Sequence, residues 1–249
     1  MSDVRVESVA GLVRITFDAP HRLNAFTAQM YRATTDAVHS AAGNGDVVLI
    51  AGAGRAFSAG AAIVDGADPA ADLAAGNTMI RAILECPSPV VCAVGGIAAG
   101  IACALVAAAD ISVATRSATF HFAFRDLGLL PDGGLTALLA ASVGRARALG
   151  WALTGAAVPA NEAAAAGLVL ACVPDAEFRG NVNALVTGLV CGPSAALAAT
   201  KKAFNNVARD TLPAVLDREF GLQTSLLAGP DWAIGRAAFL AKRAPDFTA

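Results

Sequence analysis

Residues 89–109 (PVVCAVGGIAAGIACALVAAA) contain no charged side chain. This run limits the fold more than any other feature of the chain. About 20 apolar residues suffice to span a bilayer, and Gly96 and Gly100 form the GxxxG pattern of helices packed in lipid. Yet the run is mostly Ala, Gly and Val, Asp110 follows at once, and no aromatic or basic flank marks an interface. A buried strand at residues 90–94, a glycine-rich turn and a buried helix at 101–109 account for it equally well.

The surrounding pattern favours the second description. Residues 4–9 and 12–17 read as a hairpin around Gly11. Thr27 opens an amphipathic helix to about residue 42, and residues 46–51 (DVVLIA) form a short buried strand. A helix over 69–86 starts with Asp68 as N-cap and Pro69 at its first position, and Pro87 and Pro89 stop it. Strands follow at 90–94, 111–115 and 168–173. Helices follow at 101–109, 134–142, 145–154 and 160–165. Beyond residue 175 only helices are expected: 175–189, 193–207, 212–227 and 231–242. Strands alternating with helices, then helices alone, predict an α/β core with a helical C-terminal region. The expected division is a core over residues 1–192 and a helical region over 193–249.

With 249 residues, 56% hydrophobic and 15% charged, the chain has more apolar surface than one globule needs to bury, which predicts self-association. Net charge is −2 and no Lys/Arg block stands out, so nucleic-acid binding has no electrostatic support. The five cysteines are odd in number and lack paired spacing, which argues against a disulfide framework or a zinc site. The N-terminus has no apolar block of a signal peptide, and a cytoplasmic location is expected.

Two corners draw attention. Residues 52–63 (GAGRAFSAGAAI) and 95–102 (GGIAAGIA) each follow a buried strand and lead towards a helix. Ligands bind α/β sheets at such places, because free N–H groups point outward and small side chains admit a ligand to the backbone. Either corner alone is equally an ordinary tight connection. Neither is a GxGxxG or a GK[ST] phosphate loop.

Taken together, the motifs resemble the crotonase superfamily, the enoyl-CoA hydratase/isomerase family. The RLNAF stretch at residues 22–26 resembles its N-terminal RxNAL-like element, GRAFSAGA at 54–61 its FSAGAD motif, and AVGGIAAG at 93–100 its AVNGxAxG motif. Ala109-Asp110-Ile111 matches the strand entry that follows, and Lys201-Lys202 and residues 239–245 (FLAKRAP) resemble the helical tail. The resemblance covers nearly the whole chain and reassigns the apolar run to a buried core, with no membrane. It implies a spiral of ββα units and a C-terminal helical trimerisation region, with trimers or dimers of trimers.

It also implies an acyl-CoA thioester as ligand, with coenzyme A as part of the substrate and no metal or redox cofactor. By position, the backbone N–H groups of Ala61 and Ile101 form an oxyanion hole. Ala25, Ala59, Gly60, Ala61, Ile63 and Gly100 are implied coenzyme A or substrate contacts, and Arg22 and Lys242 phosphate partners, unless those two cations are simply solvated. Ile101 stands where glycine is usual, so its side chain is expected to narrow the pocket or strain the turn. The two glutamates of the family's hydratases are absent, with Ala104 and Phe124 in their places, and Ala62 replaces the aspartate of FSAGAD.

Asp132 lies where several family branches carry a functional aspartate. A carboxylate with little water around it becomes a better base. Asp132 could instead cap the helix near Gly134. His121 is either a polar group of the acyl pocket or a core histidine with a satisfied hydrogen bond, and Phe120, Phe122 and Phe124 are expected to wall that pocket. Asp65 is expected in a solvated loop. The preferred expectation is isomerase-type proton transfer by Asp132 on an enoyl-CoA ester. Its rivals are a hydratase-like protein of weak activity and a non-catalytic acyl-CoA-binding protein.

Overall fold

The computed structural model describes residues 3–64 and 68–248, and Asp65 lies outside them. The chain opens with a hairpin of β1 (Val4–Val9) and β2 (Leu12–Phe17), then α1 (Ala28–Asn44). Three units of two strands and a following helix come next. They are β3 (Val47–Gly52), β4 (Ala56–Ser58) and α2 (Pro69–Glu85); β5 (Val90–Val94), β6 (Ile97–Ala99) and α3 (Ile101–Ala108); and β7 (Ile111–Thr115), β8 (Thr119–His121) and α4 (Leu135–Val143). After these come α5 (Arg145–Thr154), β9 (Ala157–Pro159), α6 (Ala160–Ala166), β10 (Ala171–Val173), α7 (Asp175–Val190), α8 (Ser194–Leu227) and α9 (Pro230–Leu240).

The first strand of each unit enters a six-stranded sheet of order β1-β2-β3-β5-β7-β10, parallel throughout except for the β1-β2 hairpin. The second strand enters a four-stranded sheet of order β4-β6-β8-β9. This is the expected spiral of ββα units. Both faces of the larger sheet are covered, so β5 is buried at every position and reads as an unbroken apolar run. On one face Val48, Ile50, Cys92 and Val94 join the main core. On the other, Leu49, Val91 and Val113 meet Val182 and Val186 of α7. The apolar run of residues 89–109 is thus a strand, a turn with β6, and a helix, all inside the molecule. Among the described residues no single helix is long and apolar enough to cross a membrane.

The residue pattern did not show the individual strands of the second sheet, because β4, β6, β8 and β9 are three residues each and too short to show an alternation. Two expectations need correction. The strand expected over 168–173 keeps only its last three residues, since Leu168 and Val169 pack into the main core ahead of it. The helices expected at 193–207 and 212–227 are one helix, α8, with Pro213 inside it. Proline removes one backbone hydrogen bond, but Leu212 and Leu216 beside it are buried, with Leu212 against the Gly134 turn. That packing carries the helix through.

Helix α8 is also tied down near its start. Lys201 Nζ lies 2.7 Å from Asp110 Oδ2 and donates to the carbonyls of Ile83 and Ser88, joining the end of α2 to the entries of β5 and β7. Asp110 Oδ2 also accepts the Val90 N–H at 2.7 Å. Replacing Lys201 by Ala strands a partly buried carboxylate and two buried carbonyls. The expected cost is about 3 kcal/mol of stability, read as a lowered midpoint in urea unfolding.

Candidate active site

The first corner is built around Asn24, which is fully buried. Its Nδ2 donates to the carbonyls of Ala53 and Ala56, at 2.9 and 2.8 Å, and its Oδ1 accepts the Ala19 N–H. Its own carbonyl accepts the Ser58 hydroxyl, whose oxygen in turn accepts the Gly60 N–H. Asn24 sits at φ 56°, a left-handed conformation that asparagine tolerates better than most residues. The NA of the RLNAF stretch therefore serves the corner's architecture.

Residues 59–62 run beside residues 23–26. Ala59 N–H donates to Leu23, Phe26 N–H to Gly60, and Ala62 N–H to Phe26. In this bridge between Phe26 and Ala61, the Ala61 N–H points away from its neighbour. At the second corner, Gly100 (φ 55°, ψ −128°) precedes α3 and Ile101 opens it. The Ile101 N–H is one of the first-turn donors a helix leaves unpaired. Neither amide has a partner among the described residues.

The corners touch. A β-carbon at Gly60 (φ 86°) would stand 2.7 Å from the Ala99 carbonyl oxygen and 3.6 Å from Gly100 Cα, so only glycine fits between the two backbones. The positive φ falls on Gly100 and not on Ile101, so the branched side chain does not strain the turn. It packs inward, towards Gly76 and Gly133.

Ala61 and Ile101 both line a chamber of about 850 Å³, the size range of small-molecule sites. Of the residues singled out in the sequence, Ala59, Gly60, Ala61, Ile63, Gly100, Ile101 and Asp132 line it. Arg22, Ala25 and Lys242 do not. Arg22 pairs with Asp3 at 2.7 Å, and the tail cations on the chamber wall are Arg236 and Arg243, the latter next to Lys242. His121 is half-buried and outside the core: it lines the chamber, and its Nε2 lies 3.0 Å from Thr119 Oγ1. Burial lowers its pKa, favouring the neutral ring. Of the three phenylalanines only Phe124 is on the wall. Phe120 and Phe122 are fully buried elsewhere, Phe122 stacked on Trp151.

Asp132 does not cap α4. That task falls to Glu219 of α8, which accepts the N–H groups of Gly134 and Thr136 and the Thr136 hydroxyl. One turn on, Gln223 holds the Asp132 loop, donating to Asp132 Oδ2 at 2.9 Å and exchanging hydrogen bonds with the Leu130 backbone. Asp132 Oδ1 is sealed and unpartnered. Burial pushes the Asp132 pKa up to about 7, opposed by the Gln223 hydrogen bond and reinforced by the charge of Glu219. Glu219 and Gln223 were missed in the sequence. The signal was there: residues 212, 216, 219 and 223 share one helical face, and its two polar members are each 2% exposed.

Known proteins supply the remaining observation. Residues 7–249 match the family model described as enoyl-CoA hydratase/isomerase. The chain belongs to that family. It is 42% identical to a protein of Rhodobacter capsulatus named "Probable enoyl-CoA hydratase", covering 98% of this chain and 97% of that one. It is 36% identical to 1,2-epoxyphenylacetyl-CoA isomerase of Escherichia coli K12, over 96% and 95%. Among solved structures, an enoyl-CoA hydratase from Mycobacterium avium subsp. paratuberculosis superposes with a TM-score of 0.93 at 40% identity, covering 100% and 99% of the two chains.

Because the folded pKa of Asp132 lies above that of an unfolded carboxyl, the unfolded chain releases this proton first as pH rises. The contribution of Asp132 to stability therefore falls between about pH 4 and about pH 7. Replacing Gln223 by Leu removes the hydrogen bond that favours the charged form. It should raise the Asp132 pKa by roughly one pH unit, whereas Glu219→Gln should lower it. Carboxyl carbon chemical shifts followed against pH would check both directions.

Proposed function

We propose that this member of the enoyl-CoA hydratase/isomerase family binds an acyl-CoA thioester with its carbonyl oxygen between the Ala61 and Ile101 N–H groups, and that Asp132 moves a proton on the acyl chain. The observation that carries the reading is Asp132 on the wall of the same chamber as Ala61 and Ile101, its carboxyl pKa pushed up by burial to about 7. Removing a proton beside a thioester puts negative charge on the carbonyl oxygen. Two fixed amides stabilise that enolate, at about 3 kcal/mol each. The thioester itself acidifies the α-carbon, so no metal or redox cofactor enters the reading. Asp132 as a carboxylate takes the proton, and as an acid returns it at another carbon, which shifts a double bond.

Ala104 and Phe124 stand where hydratases of the family carry glutamates, and neither side chain can hold or transfer a proton. Isomerisation is therefore favoured over hydration by two carboxylates. Water activation by Asp132 alone, and binding without catalysis, are the readings that stand against it. Self-association as a trimer or dimer of trimers is part of the proposal. It is supported by the exposed apolar side chains Phe204, Leu222, Phe239 and Leu240 of the C-terminal helices.

The test is turnover of a panel of enoyl-CoA esters in deuterated water, followed by mass spectrometry. The unmutated protein is expected to place deuterium at the α or γ carbon, at a rate that rises as pH climbs through about 7. Asp132→Asn is expected to lose about 10²-fold or more of that rate while still binding the esters. Equal exchange in both proteins would remove Asp132 from the chemistry. Hydration without exchange would favour the hydratase reading, and binding without either would favour a non-catalytic protein.

A further inference from the structure

Tyr31 is 1% exposed, and its ring is held. The ring centroid lies 5.2 Å from that of Phe26, and a β-carbon at Gly76 would stand 3.6 Å from its Cε1 and Cζ. Its polar end is different. The Tyr31 hydroxyl has no hydrogen-bond partner among the described residues. Nor is it sealed: the sealed, unpartnered side-chain atoms there are Arg22 Nε, Asn77 Oδ1 and Asp132 Oδ1. The hydroxyl is thus the small open part of a buried side chain, and the space that Tyr31 lines is the same chamber.

A buried phenol in a native protein usually finds an acceptor. Burial, then the charges of Asp132 and Asp72, hold the Tyr31 pKa well above its ordinary value. The group is a hydrogen-bond donor across the working range of pH. Around it the wall is largely apolar, with Ile101, Leu73, Phe124 and Leu129. The charges of Asp132 and Asp72 act on Tyr31 and disfavour an anion beside its hydroxyl, while Arg236 and Arg243 also line the chamber.

Resting on the acyl-CoA reading above, we propose that Tyr31 is a specificity-determining residue whose hydroxyl donates to a neutral oxygen carried on the acyl group. The chamber then selects CoA thioesters of oxygen-bearing acyl groups, such as ethers, alcohols or ketones, over plain hydrocarbon chains. The thioester oxygen is not the acceptor, because the two corner amides serve it.

The experiment compares hexanoyl-CoA with its 3-oxa, 4-oxa and 5-oxa analogues, which replace one methylene by oxygen with little change of shape. All four are saturated, so isothermal titration calorimetry reads binding without isomerisation. The unmutated protein is expected to bind one oxa ester about fivefold more tightly than hexanoyl-CoA. Tyr31→Phe keeps the ring contacts. It is expected to abolish that preference while the hexanoyl-CoA Kd stays within roughly twofold, with thermal unfolding to check the fold. The proposal is overturned if no oxa ester is preferred, if the preference survives in Tyr31→Phe, or if the variant weakens all four esters alike. A folded protein that binds none of the four overturns the acyl-CoA reading itself, and this proposal with it.

Discussion

The site depends on one close approach of backbone to backbone. Gly60 lies against the Ala99 carbonyl and Gly100 with no room for a β-carbon. This contact brings the turn after the second strand of one ββα unit against the same turn of the next and sets Ala61 and Ile101 on one chamber. It is held from below by Asn24, whose amide group ties residues 19, 53 and 56 together, and by Ser58, which spans Asn24 and Gly60. All of these bonds are buried or partly so, where an unpaired partner costs roughly 1–3 kcal/mol. Side chains remote from any ligand thus determine where two donors point.

The second constraint comes from the far end of the chain. A helix start needs acceptors for its free N–H groups, and an aspartate two residues before Gly134 would be the ordinary source. Glu219 takes that role from α8 instead, and Asp132 is released from it. The same helix supplies Gln223, so one face of α8 both frees the carboxylate and orients it. Glu219 and Gln223 also pull the Asp132 proton equilibrium in opposite directions. The charge that caps the helix favours the protonated acid, and the amide that orients it favours the carboxylate. A group poised near neutrality suits the proton transfer proposed for Asp132.

Two neighbouring positions fit this arrangement. Ala104 is fully buried in α3, and its β-carbon lies 3.0 Å from where a β-carbon at Gly133 would stand, directly beneath the Asp132 loop. A glutamate there would press on that loop. Phe124 lies beside Gly100, with its Cζ 3.9 Å from the place of a β-carbon there. It makes that part of the chamber wall apolar. A drier chamber raises carboxylate pKa values and strengthens hydrogen bonds from fixed amides. The polar groups left on the wall, Asp132 and the Tyr31 hydroxyl among them, have correspondingly large effects.

By itself the sequence determined the long and periodic elements, because those signals are local. The boundaries of β5, β7 and α5 and the N-caps Thr27 and Asp68 could be read from apolar runs, prolines and capping residues. The two glycine corners and the aspartate after them were legible as motifs, since glycine marks where backbone must approach backbone. The second sheet was not legible, as a three-residue strand carries no periodicity and is stabilised only by the neighbours it pairs with. The continuity of α8 through Pro213 was not legible either, because local propensity opposes it and packing against the Gly134 turn overrides it. Above all, only the tertiary structure decided the state of Asp132. Glu219 and Gln223 are 87 and 91 residues away in sequence, and no local pattern reveals that a helix from the C-terminal region will take over the cap and hold the carboxylate in a buried place.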